Sequence, residues 1–69
     1  MWTKELPKTP GLYWFYGKRF KQDKDDKLYF VRTSEIKNGF ILVCEGVFMW
    51  ESERGNGWFM AIDVPELPN

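Results

Sequence analysis

At 69 residues, with ten Lys/Arg against ten Asp/Glu, the chain is sized for one small domain of zero net charge. That balance argues against dominant nonspecific DNA binding, which needs a strong positive field. A single cysteine and no histidine exclude an internal disulfide and the usual zinc ligand sets, so no metal and no cofactor is expected.

The chain opens on "MWTKELPKTP", charged and proline-containing where a signal peptide needs an apolar core. No apolar run approaches the ~20 residues of a membrane span. A soluble, cytoplasmic protein with no membrane partner is expected, and the lone Cys44 is compatible with a reducing compartment. Pro7 and Pro10 disfavour a helix and predict an extended start, with Trp2 and Leu6 as apolar anchors.

Five short strands follow. They are "GLYWFY" (11–16), "KLYFVRT" (27–33), "GFILVCE" (39–45), "GVFMWE" (46–51) and "WFMAIDV" (58–64). Gly17, Asn38-Gly39, Gly46 and Gly55-Asn56-Gly57 mark the breaks, because Gly and Asn accept positive φ at low cost. Between the first two strands, "GKRFKQDKDDK" (17–27) has mixed charges, a single Phe20 and no apolar stripe, and is expected to be a loop or hairpin tip. "TSEIKNG" (33–39) fits one helical turn or a bent hairpin connection. The end, "VPELPN", predicts a second extended tail anchored by Val64 and Leu67.

These elements predict an all-β fold: a small curved antiparallel sheet, or an SH3-like or OB-like barrel, of about five short strands. Four strands carry large apolar side chains at both odd and even positions, which a strand sends to opposite faces. The chain holds thirteen aromatic residues, 19% of the total. One apolar face is core. The other calls for the proline-containing tails, a homodimer, or a partner.

The two ends carry a resemblance. Trp2, Leu6, Pro7, Pro10, Gly11, Tyr13 and Trp14 at the start, and Trp58, Pro65, Leu67 and Pro68 at the end, resemble short phage and prophage accessory proteins. These share a Trp…Leu-Pro…Pro-Gly-x-Tyr-Trp opening and a Pro-x-Leu-Pro close. The resemblance covers both ends but not residues 18–57, and the group is of unknown function. It implies a phage-type protein that binds and blocks a host protein, and it carries no catalytic residue.

The residues argue against an enzyme. Histidine, the commonest general base, is missing. Cys44 sits in the apolar "ILVC" run and reads as a core thiol. Glu51 and Glu53 read as a solvated strand end. Asp23, Asp25 and Asp26 alternate with lysines and lack the glycine and distal glutamate of a calcium loop. "RGNG" (54–57) reads as a turn rather than a phosphate cradle.

Three binding readings stay open. Protein–protein contact is favoured, since interface cores are enriched in Trp, Tyr, Phe, Met and Arg. Tyr13, Phe15, Phe48 and Trp50 are the expected aromatic surface, and Lys18, Arg19 and Lys21 its charged margin. The partner would be a host protein, a defence or regulatory factor. A single-stranded nucleic-acid-binding module is the second reading, because "YGKRFKQ" interleaves rings with cations. Capture of a small nucleotide between aromatic rings at a dimer interface, with Lys18 or Arg19 on the phosphate, is the third.

Overall fold

A computed structural model describes residues 1–62. Its strands are β1 (Leu12–Gly17), β2 (Lys27–Ile36), β3 (Gly39–Cys44), β4 (Val47–Met49) and β5 (Gly57–Ala61). All neighbours are antiparallel, in the order β4-β3-β2-β1-β5. The described residues hold no helix. β4 and β5 lie on opposite edges and do not pair, so the fold is an open sheet and not a barrel. Val64, Pro65, Leu67 and Pro68, expected to form an anchored tail, lie outside the described residues.

Turn chemistry sets the register. At the β3–β4 hairpin, Cys44 pairs with Val47 around Glu45-Gly46, whose φ angles are 53° and 78°. Two consecutive positive φ values match the right-handed twist of a hairpin. Gly46 adopts this conformation freely, whereas Glu45 does so at a cost. At the β2–β3 hairpin, Ile36 pairs with Gly39 across Lys37-Asn38. Of the two alternatives for 33–39, the helical turn is absent and the hairpin connection is present, confined to Lys37-Asn38. Thr33, Ser34, Glu35 and Ile36 pair with Leu42, Ile41, Phe40 and Gly39 and extend β2 to ten residues.

Register also decides which rings are core. Phe15 pairs with Tyr29 on one side and with Phe59 on the other. Tyr13 pairs with Val31, Val31 with Cys44, and Leu42 with Met49. Paired residues share a face. Tyr13, Phe15, Val31, Leu42, Cys44, Met49 and Phe59 thus form one buried cluster, with Tyr29 packed against it. Phe15, fully buried, lies 5.1 Å from the Phe59 ring and 6.2 Å from Tyr29, centroid to centroid. The buried Tyr13 keeps its hydroxyl satisfied by donating to the Thr9 carbonyl at 2.5 Å.

Loops and the N-terminal segment cover this face. The 50–56 connection runs from one edge of the sheet to the other and joins the 18–26 loop through backbone hydrogen bonds. Lys21 N–H donates to the Glu53 carbonyl, and Lys18 N–H to that of Asn56. Arg19 lies over the rings of Phe20 and Tyr29 and pairs with Glu45 at 3.2 Å. Thr3 exchanges two backbone hydrogen bonds with Phe59, which ties the N-terminal segment to the β5 edge. Leu6 lines a depression with Phe40 and Met49, and Trp2 lines another with Tyr16 and Trp58. Both expected N-terminal anchors remain more than a third exposed.

Candidate functional site

The opposite face is also apolar. By the same pairing it carries Leu12, Trp14, Tyr16, Leu28, Phe30, Ile36, Ile41, Val43, Phe48, Trp58 and Met60, with Arg32 and Ser34 as its polar strand positions. Ile41 and Val43 are buried. Tyr16, Leu28, Phe30, Ile36, Phe48 and Trp58 are 42–57% exposed. Trp14 and Phe30 meet edge to face at 5.8 Å, as do Phe48 and Trp50 at 6.0 Å. Contiguous apolar exposure of this kind marks contact surfaces.

The expected site residues divide. Tyr13 and Phe15, expected on the surface, both point into the core. The reason is the register of β1 against β2 and β5, which gives the exposed face to Leu12, Trp14 and Tyr16 instead. Phe48 is on the exposed face, and Trp50 stands just beyond β4. The basic residues scatter. Lys18 pairs with Asp26 at 3.1 Å. Arg19 is turned over the core side, its side chain 24% exposed. Lys21 is exposed on the loop.

A corner site was missed. Beside β5 and the end of β1, a depression of about 410 Å³ is lined by Lys4, Lys18, Asp26 and Arg54, by Tyr16 and Trp58, and by the Gly55–Gly57 backbone. A second depression of about 400 Å³, lined by Trp2, Tyr16 and Trp58, adjoins it. Tyr16 and Trp58 belong to both and are cross-strand partners. Lys4 places its ammonium 4.8 Å from the Trp58 ring centroid, within cation–π range. Three chain segments meet here, so adjacency in sequence gave no signal.

The floor of this corner is close-packed. A Cβ at Gly57 would collide with the Phe15 ring, and one at Gly17 with the Asn56 carbonyl. At Gly55 a Cβ would come within 2.6 Å of the Lys18 carbonyl oxygen. Only hydrogen fits at these positions, which fixes the 18–20 and 54–57 segments against each other.

Cys44 is fully buried. Burial raises its thiol pKa above the ordinary value. The Arg19 guanidinium offsets part of that effect, and Glu45 adds to it. A thiol held in this way is a poor nucleophile at neutral pH. No group of three or more His, Cys, Asp or Glu side chains suited to a metal occurs among the described residues.

Comparison with protein-family models, curated proteins and solved structures finds no match to this chain.

Proposed function

We propose that this chain is a non-enzymatic binding protein whose exposed sheet face docks on an apolar, carboxylate-bearing patch of another protein. The observation behind this reading is the face itself: six large apolar side chains 42–57% exposed, with Arg32 the one charged strand position among them. A second copy is a poorer occupant. In a two-fold dimer the same patch meets itself, and this patch brings a cation but no strand carboxylate to receive it. A heterologous partner with an apolar centre and an acidic group satisfies both. The resemblance at the chain ends supports reading the chain as a phage-type accessory factor in the host cytoplasm. Its partner is then a host defence or regulatory protein, which it inhibits.

The test compares nuclease-treated pull-downs from host lysate. A protein retained by the native chain should be lost with Phe30→Asp and with Arg32→Glu, and kept with Asp25→Lys in the exposed 18–26 loop. Retention that ignores the first two substitutions refutes the docking face. A light-scattering mass of twice the monomer, abolished by Phe30→Asp, would assign the face to self-association.

A further inference from the structure

We propose that the corner between the N-terminal segment, β1 and β5 binds a nucleoside phosphate, its base against Trp58, Tyr16 and Trp2 and its phosphate among Lys4, Lys18 and Arg54. The two adjoining depressions, of about 410 and 400 Å³, fall in the range of small-molecule sites, roughly 300–1,000 Å³. They differ in chemistry. One is lined by three aromatic rings alone. The other gathers three cations and one carboxylate. A ligand that spans them needs a flat apolar part joined to an anion, and a nucleoside phosphate has both. Every base presents a π face for stacking. A phosphate takes charge-assisted hydrogen bonds from guanidinium and ammonium groups.

Further observations support one joint site. The Lys4 ammonium already stands over the Trp58 ring at 4.8 Å, so an anion carried by a base stacked at Trp58 meets that charge. The Gly17, Gly55 and Gly57 contacts lock the floor, so little ordering cost falls on binding. The two ion pairs among the described residues are Lys18–Asp26 and Arg19–Glu45. Lys4 and Arg54 therefore have no carboxylate partner among those residues, and a phosphate supplies one. Asp26, 3.1 Å from Lys18, competes with it.

The ligand is small rather than a nucleic-acid strand. A strand needs a basic track beyond one pocket. Outside this corner the exposed face offers Arg32 alone at its strand positions, and the lysines of the 18–27 loop alternate with Asp23, Asp25 and Asp26.

AMP, GMP, CMP and UMP are titrated separately into the full chain at about 50 mM salt, with tryptophan fluorescence as the readout. At least one should give saturable quenching. Lys4→Ala and Arg54→Ala should each weaken it about tenfold, as the loss of one charge-assisted contact does. Trp58→Ala should weaken it by about as much, whereas Trp58→Phe keeps a stacking ring and most of the affinity. Asp26→Asn should tighten it, and Arg32→Ala should leave it unchanged. Circular dichroism establishes that each variant is folded. Four results overturn the proposal: no saturation by any of the four up to about 5 mM; inorganic phosphate binding as tightly as the mononucleotide; indifference to both Lys4→Ala and Arg54→Ala; or oligo(dT) binding more than about 100-fold tighter with a steep salt slope. Tyr16 and Trp58 belong to both surfaces, so the two proposals are told apart at residues only one of them uses: Phe30 and Arg32 for docking of a protein partner, Lys4 and Arg54 for the nucleotide.

Discussion

Replacing Phe15 by leucine tests the face assignment on which every other reading rests. Phe15 is fully buried, between Phe59 at 5.1 Å and Tyr29 at 6.2 Å. Leucine removes three side-chain carbons, and each buried carbon is worth about 0.8 kcal/mol. Losing the aromatic pairing adds roughly 0.5–1.5 kcal/mol, and relaxation of the neighbours returns part of the total. The expected loss is therefore about 2–3 kcal/mol. A chain of this length has a stability of about 3.5–10 kcal/mol, so the variant should still fold. With a urea slope of about 1 kcal/mol per molar, the unfolding midpoint should drop by about 2–3 M. Phe30 is the control, 49% exposed on the other face and edge-on to Trp14. Phe30→Leu should cost about 1 kcal/mol, because roughly half as much surface returns to water. Equal midpoints, or the reverse order, would mean that the core lies on the other face.

Two further outcomes follow from the β3–β4 hairpin. Glu45→Asn should be more stable than Glu45→Ala by about 0.5–1 kcal/mol in urea unfolding, since both lose the Arg19 pair but asparagine tolerates the left-handed φ of 53° better. Glu45→Ala should destabilise the protein, keeping the strain and losing the Arg19 pair; equal stability of the two variants would refute the turn assignment. Cys44 should make stability fall at alkaline pH. Burial, aided by Glu45 and opposed by Arg19, raises its folded pKa. Above the unfolded value of about 8.5 the unfolded chain therefore loses the proton first, and stability drops by at most about 1.4 kcal/mol per pH unit. Urea midpoints of the native chain and Cys44→Ala, taken between pH 7.5 and 9.5, should converge as pH rises; parallel curves would refute the buried thiol.

The five strands were legible because glycine and asparagine punctuate aromatic and β-branched runs. What lay hidden depends on partners distant in the chain. Tyr13 and Phe15 could not be told from Trp14 and Tyr16, because both faces of β1 are apolar and its alternation carries no polarity signal. Only pairing with Val31 and Phe59 decides the matter. β2 runs three residues past the expected 27–33 because residues 34–36 gain their ladder from β3. For the corner site, Lys18, Arg19 and Lys21 drew attention by being adjacent, yet Arg19 is spent on Glu45 and Tyr29. Lys4 and Arg54 replace it, fifty positions apart in the chain and neighbours around the same depression. The pairing of Tyr16 with Trp58 would have pointed there had the strand order been known.

The placement of β5 beside β1 has a consequence for how the molecule is made. β1 to β4 are joined in series, each pairing with the next, and such local hairpins form early. β5 must instead travel back across the sheet to the first strand. Until it does, β1 presents a bare edge, and the Phe15 ring lacks its partner Phe59. During synthesis residues 57–61 appear after β1 to β4, so the nascent four-stranded intermediate holds a sticky edge beside an open core. A premature stop before Gly57 should therefore give an aggregating product rather than a smaller working domain, and arrival of β5 is the committing step of assembly.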